Sequence, residues 1–170
     1  MRSQLDRNAR VLLYLLAGLA CSVGFTPTRT LAAEERRLPA VDVARVQQIV
    51  DDLRGRLAIP QAVHVSIVDR NPLMVSVSPA ADGFALSFEA GFAERLTEDE
   101  LTAAVAHELG HVWIYTHFPY LQTERLANEI AMRVVSRESL VPVYDRMFER
   151  TRLSGDPNDY LGAPRPAADH

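Results

Sequence analysis

The stretch that decides the fold is Thr97–Val112, which reads TEDELTAAVAHELGHV. Thr97 followed three residues later by Glu100 forms a capping box, which marks the start of a helix. The acidic first turn suits the positive end of the helix dipole. One apolar face of the predicted helix then consists of Leu101, Val105, Leu109 and Val112. We therefore expect a well-defined helix that carries the run HELGH in its second half.

Two histidines of this helix are placed to share a metal ion. His107 and His111 lie four residues apart, so both can aim an imidazole nitrogen at one Zn2+ about 2.0 Å away. Glu108 then points at a zinc-activated water, whose proton it can take as general base and deliver to a leaving amine. The alternative is an exposed helix with two unrelated histidines. The small residues before the motif and Gly110 within it favour the metal site.

A catalytic zinc takes three protein ligands, so a third must come from His117, Glu124 or Glu129. His117 has the spacing of the extended HExxHxxGxxH motif of metzincins, but Ile114 stands where that motif needs a turning glycine. Glu124 would reach the metal if its helix returned antiparallel, and Asn128, one turn along, could orient a ligand. Glu129 is rotated by about 100° from Asn128 and lacks such a partner. Glu124 is therefore the favoured third ligand.

HELGH followed by Glu124-Arg-Leu-Ala-Asn128 resembles the gluzincin pattern HExxH plus ExxA(D/N). The asparagine is similar to that of ImmA/IrrE-type peptidases, while Leu96–Leu101 resembles the group of HtpX and the CAAX prenyl proteases. The resemblance covers residues 84–136. It implies a zinc metallopeptidase, with His107, His111 and Glu124 as zinc ligands and Glu108 as general base. The spacer between His111 and Glu124 is short, and Asn128 replaces the Asp of the CAAX-protease group.

The remaining pattern predicts a small sheet and further helices. Spaced valines and leucines predict a helix over residues 43–57, and period-2 alternation and β-branched residues predict strands at 63–67, 73–78 and 84–88. Downstream, we expect helices at residues 120–136 and 139–153, the second capped by Ser139. The fold class is therefore α+β, and the resemblance implies a minimal zincin-like domain at residues 34–154. Its three-stranded, mostly antiparallel sheet would pack on the HExxH helix.

In gluzincins an exposed sheet edge commonly holds the substrate as an added strand. The strand Phe84–Phe88 resembles that edge, although it could equally be core sheet. An oxyanion-stabilising donor is also expected. The candidates are Tyr115, His117, Tyr120, Tyr144 and Arg133.

The two ends of the chain differ from the domain between them. Residues 1–33 combine basic residues with an apolar run at 11–20, which indicates a signal peptide or an N-terminal anchor. Cys21 follows Ala20 as in a lipoprotein cleavage site, which is a second way of tethering the chain to a membrane. We expect an exported protein, periplasmic or secreted. The Pro-rich tail, residues 155–170, has little to bury and is expected to be extended or disordered.

The charge distribution limits the partners. The chain carries a formal charge of −4, and the domain after the N-terminal segment is the acidic part, with no basic cluster for phosphates. Nucleic acid is therefore excluded as a partner, and a peptide or protein substrate is expected. The alternative function is a zinc-binding, non-hydrolytic envelope scaffold or chaperone-like protein. The small size and the absence of a recognisable substrate-binding domain support that alternative.

Overall fold

The structure, a computed structural model, describes residues 42–152 and 155–162. Its elements are α1 (Val43–Arg56), β1 (Ala62–Val68), β2 (Val75–Ala80), β3 (Gly83–Glu89), α2 (Ala90–Ala93), α3 (Glu98–Thr116), α4 (Glu124–Ala131), α5 (Arg137–Thr151) and α6 (Asn158–Leu161). The predicted N-terminal signal or anchor and the last eight residues of the predicted tail lie outside the described residues. Within those ranges, no helix is long and apolar enough to cross a membrane.

The α+β class with a small three-stranded sheet is confirmed, and the strand order is β1-β3-β2. β2 and β3 are antiparallel because a tight turn joins them, whereas β1 lies on the other side of β3 and runs parallel to it. The sheet is therefore mixed, with one pairing of each kind. Gly83 has a φ of 147°, and a β-carbon there would lie 2.2 Å from the carbonyl oxygen of Ala62. The glycine therefore allows β1 and β3 to approach each other closely at the residue pair where their pairing begins.

The strand Phe84–Phe88 is not the exposed edge that its resemblance suggested. β3 is the central strand, with a partner on each side, and its inward residues Phe84, Leu86 and Phe88 are buried. β2 is instead the edge strand that contacts α3. The alternation of β3 indicated a half-buried strand correctly, but which strand lies at an edge depends on pairing between distant segments.

Helix α3 is the central element of the core. Thr97 caps it with the predicted capping box, and it packs against α1, α4, α5 and β2. The predicted apolar face is buried, and so are Ala103, Ala104 and Ala106 on other faces. These small side chains let neighbouring elements approach α3 closely from several directions. The helix that carries the two histidines is therefore packed against neighbours on several sides.

The later helices begin at different residues from those predicted. α4 begins at Glu124, because the Thr123 hydroxyl accepts the N–H of Leu126 and caps the helix there. α5 begins at Arg137, since the Ser136 hydroxyl, not that of Ser139, is the cap. Both predicted helices exist, but several residues could have served as cap in each case.

The start of the predicted tail is folded in the structure. Residues 158–161 form the short helix α6, and Leu161 is buried. Arg137 donates hydrogen bonds to the carbonyl oxygen of Gly162 at 3.0 and 3.3 Å. The proline-rich composition indicated little to bury, but Tyr160 and Leu161 supply apolar surface that packs on the domain.

Replacing Glu100 with Ala is expected to lower the free energy of unfolding by about 2 kcal/mol. The buried Glu100 carboxylate accepts the Thr97 N–H at 2.7 Å and an Arg146 N–H at 2.9 Å. Urea unfolding measures the change. Asp99→Ala is the control, because Asp99 is exposed in the same helical turn, and its effect should stay near 0.5 kcal/mol, about that of one dipole interaction.

The contribution of Glu100 to the free energy of unfolding should also depend on pH. Burial acts to raise the pKa of Glu100, but the hydrogen bonds from Arg146 and Thr97 outweigh it and lower the pKa below 4.5. A carboxyl group whose pKa is lowered by folding stabilises the folded state when the pH lies above the pKa of the unfolded chain. That stabilisation is lost as the pH falls through the lowered pKa of the folded state. The stability difference between wild type and Glu100→Ala should therefore shrink in acid. A constant difference from pH 7 to pH 3 would contradict this account.

Candidate metal centre

Three predicted site residues converge on one point. His107 and His111 project from α3 one turn apart, with their Nε2 atoms 3.2 Å from each other. Glu124, the first residue of α4, brings its Oε2 atom to 3.2 Å from Nε2 of His107 and its Oε1 atom to 3.6 Å from Nε2 of His111. The centre is thus built from two helices joined by residues 117–123.

These distances fit a single metal ion. The ligand atoms of His107, His111 and Glu124 all lie within 4.8 Å of one another. Two atoms bound at about 2.0 Å in a tetrahedral site lie about 3.3 Å apart. The observed spacing therefore leaves room for one divalent ion between the three side chains. Two imidazoles and one carboxylate are a ligand set that suits zinc among other metals.

A buried amide side chain orients the imidazole ring of His107. Nδ1 of His107 lies 2.8 Å from Oδ1 of Asn128, and Asn128 is completely buried. The Asn128 amide nitrogen donates to the hydroxyl of Tyr144 at 2.7 Å and to the carbonyl oxygen of Tyr160 at 3.2 Å. The amide oxygen therefore faces His107, which donates from Nδ1 and keeps the lone pair of Nε2 for a metal.

His111 has an equivalent partner that sequence reasoning missed. Its Nδ1 lies 3.1 Å from Oε1 of Gln122, and Nε2 of Gln122 donates to the carbonyl oxygen of His111 at 3.1 Å. Gln122 thus holds both the ring and the backbone of the second histidine. The only signal in the sequence was an amide side chain two residues before Glu124.

Gly110 brings the two helices of the centre together. A β-carbon at this position would lie 2.3 Å from the carbonyl oxygen of Ala127 and 2.9 Å from its Cα atom. Ala127 lies on α4 between Glu124 and Asn128, and it is completely buried. The glycine of HELGH therefore determines how close both of these side chains come to α3.

The electrostatics of the centre favour a cation. Burial acts to raise the pKa of Glu124, but its interactions with the two neighbouring histidines outweigh that effect and hold this pKa well below its ordinary value. Burial acts to lower the pKa of His111, yet Glu124 and Glu108 overcome it and raise this pKa to about 9. Acidic surroundings that hold a proton on His111 also favour a divalent ion in place of that proton.

Glu108 is buried beside the two histidines. Glu108 is only 6% exposed. Burial raises the pKa of its carboxyl group above the ordinary value, while the charges of His107 and His111 act in the opposite direction. A carboxylate with a raised pKa is a stronger base than an exposed one. Glu108 is therefore equipped to accept a proton.

The other ligand candidates lie elsewhere. The His117 ring stacks on Trp113 with ring centroids 3.9 Å apart, and its Nδ1 atom is 2.7 Å from the Trp113 carbonyl oxygen at the end of α3. Glu129 is exposed and pairs with Arg125 at 3.2 Å. Among the described residues, neither belongs to the group formed by the two histidines and Glu124.

The candidate oxyanion donors divide into three groups. The hydroxyl of Tyr144 already accepts a hydrogen bond from Asn128. Tyr115 lies one turn beyond His111 on α3, is 61% exposed and contacts Phe84 edge-on. Around the Trp113 ring lie the remaining candidates, His117, Tyr120 and Arg133.

No protein-family model matches this chain, and no curated protein matches it. Among solved structures, the chain is similar to the metallopeptidase zymogen of Pyrococcus abyssi abylysin. The two share 18% sequence identity, and the alignment covers 65% of this chain and 99% of that chain with a TM-score of 0.49. A similarity of this degree carries no argument about activity.

Proposed function

We propose that this protein is a zinc-dependent endopeptidase in which His107, His111 and Glu124 hold the metal and Glu108 is the general base. The observation that supports the proposal is the convergence of ligand atoms from His107, His111 and Glu124. The imidazole rings of both histidines are oriented by amide side chains. Three protein ligands leave one position open, which is the arrangement of catalytic rather than structural zinc sites.

When bound, zinc would supply Lewis-acid chemistry and lower the pKa of a coordinated water toward 7. Glu108 would accept a proton at its carboxylate and pass it to the amine that leaves the cleaved peptide bond. Its burial makes the carboxylate a better proton acceptor. Asn128 and Gln122 would hold the imidazole rings in place throughout, because each accepts an Nδ1–H.

The edge strand β2 is the proposed binding surface for substrate. It pairs with β3 on one side and contacts α3, and the backbone of Val77 acts to lower the pKa of the Glu108 carboxyl. An extended peptide added to this edge would pass directly over the general base. The main chain would supply the affinity, and alternate side chains the specificity, as in other strand-addition complexes.

Zinc content tests the ligand set. The wild-type chain is expected to bind about one zinc ion, and Glu124→Ala to lose it, because two histidines alone leave the site short of a ligand. His117→Ala and Glu129→Ala are matched controls from the rejected candidates and should retain zinc. Metal analysis after gel filtration gives the stoichiometry. Retention of zinc in Glu124→Ala together with its loss in His117→Ala would show that the ligand set is wrong.

Cleavage of unfolded casein tests the activity. Chelator-sensitive cleavage that returns on adding zinc is the expected result for a metallopeptidase. One bound zinc without any turnover would instead identify the alternative, a zinc-binding scaffold that does not hydrolyse peptides.

A further inference from the structure

The short helix α6 lies next to the metal centre but contributes no ligand. It contacts both α4 and α5. The ring of Tyr160 stacks on that of Tyr144, with centroids 5.2 Å apart and an interplanar angle of 20°. Leu161, the last residue of α6, is 5% exposed. This packing places the main-chain carbonyl of Tyr160 against the buried Asn128 amide, at 3.2 Å from its nitrogen.

Among the described residues, the Asn128 side-chain amide has three hydrogen-bond partners, and of these only the carbonyl of Tyr160 has an invariable role. The Tyr144 hydroxyl can donate or accept, and Nδ1 of His107 can do either, depending on the tautomer. A backbone carbonyl oxygen can only accept. If the Asn128 amide were flipped, its oxygen would face the Tyr160 carbonyl oxygen, and a buried acceptor would be left opposite another acceptor.

The Tyr160 carbonyl determines which group donates and which accepts in each hydrogen bond of this network. The Tyr160 carbonyl requires the amide nitrogen of Asn128 on its side, so the amide oxygen must point to His107. His107 must then carry its proton on Nδ1, which leaves the Nε2 lone pair for the metal. A backbone group in the C-terminal segment thus decides which nitrogen of a ligand histidine is free.

Two anchors hold this carbonyl in position. The Leu161 side chain fills a place in the core, and Arg137 at the start of α5 binds the Gly162 carbonyl oxygen and the side chain of Asn158. Leu161 and Gly162 follow the Tyr160 carbonyl directly along the chain, and Asn158 lies two residues before it. Loosening either one should free the Asn128 amide without touching any residue of the HELGH motif.

We infer that residues 158–162 are a positioning element of the metal centre, in which the Tyr160 carbonyl orients Asn128 and, through it, His107. The inference rests on the proposed function for its metal-binding consequence. Its hydrogen-bond consequence is independent of metal. The segment therefore serves the site, rather than ending the domain as a passive tail.

Leu161→Ala in the full-length chain tests this inference, with Leu57→Ala as the matched control. Leu57 is also 5% exposed and lies at the C-terminal cap of α1, outside the Asn128 network, so the same truncation costs core packing but leaves α6 in place. Two quantities are measured in each variant. The first is the exchange-protected Nδ1–H proton signal of His107 by NMR, and the second is zinc affinity by competition with a chromophoric chelator.

In Leu161→Ala, the protected Nδ1–H signal of His107 should disappear while that of His111, which Gln122 holds, remains. Zinc affinity should fall about tenfold, the lower end of what loss of an outer-shell partner costs. Leu57→Ala should change neither quantity. Arg137→Gln, which releases Gly162 without opening the core, should reproduce the Leu161→Ala result and serves if that variant does not fold.

An unchanged His107 signal and zinc affinity in both Leu161→Ala and Arg137→Gln would overturn the inference, while wild-type zinc binding would leave the proposed function intact. The opposite result is also distinguishable. Loss of the His107 signal in a chain that binds no zinc even as wild type would support the positioning role and reject the proposed function.

Discussion

Glu108→Gln is expected to reduce peptide hydrolysis by about a thousandfold, within the range that general-base catalysis contributes. The amide has nearly the shape of the carboxylate and fills the same buried position, but it cannot accept a proton. His107, His111 and Glu124 are untouched, so zinc should stay bound at the wild-type level. Initial rates on unfolded casein, together with zinc analysis of the same preparation, measure both quantities.

Glu129→Gln is the control for this variant. Glu129 is an exposed residue of α4 that pairs with Arg125, so the same chemical change there should leave the rate unaltered. A Glu108→Gln enzyme that retained more than about a tenth of wild-type activity would show that another group accepts the proton, because one base contributes at least about a hundredfold. Loss of zinc in Glu108→Gln would show that Glu108 supports the metal.

Gly110→Ala is expected to weaken zinc binding about a hundredfold or more and to lower the free energy of unfolding by about 3 kcal/mol. The added β-carbon would lie 2.3 Å from the Ala127 carbonyl oxygen, which is backbone and cannot rotate away. Helix α4 must therefore move off α3. Glu124 and Asn128 lie on α4 on either side of Ala127, so both would move away from the histidines. Chelator competition and urea unfolding give the two values.

Gly55→Ala separates this clash from the general effect of adding a methyl group to a helical glycine. Gly55 lies in α1, and a β-carbon added there would meet nothing within 4 Å, so alanine should stabilise the protein by about 0.5–1 kcal/mol. Zinc affinity should not change. Wild-type zinc binding and stability in Gly110→Ala would mean that the contact between α3 and α4 is not what positions Glu124.

Much of the fold could be predicted because the signals are local. The capping box at Thr97 and Glu100 involves residues three apart, and the structure contains it as predicted. The three strands also lie within a few residues of their predicted bounds. In each case the periodicity of side chains along one segment reports which face of that segment is buried.

Strand order and helix ends could not be predicted in the same way. β1 and β3 pair across a separation of about twenty residues, and no pattern within either strand states which neighbour it takes. Ser136 and Ser139 are both adequate caps, and the structure uses the first. For Tyr160 and Leu161, a proline-rich composition concealed two side chains that pack on the domain.

The candidate site shows the same division. The sequence by itself determined that His107 and His111 share one helical face with Glu108 beside them, because helical geometry places residues four apart together. Only the tertiary structure decided that Glu124 rather than His117 or Glu129 approaches them, since that depends on the path of residues 117–123 and on the helix contact at Gly110. It also decided the roles of Gln122 and the Tyr160 carbonyl. A backbone carbonyl is present in every residue, so no sequence pattern can mark the one that orients a ligand.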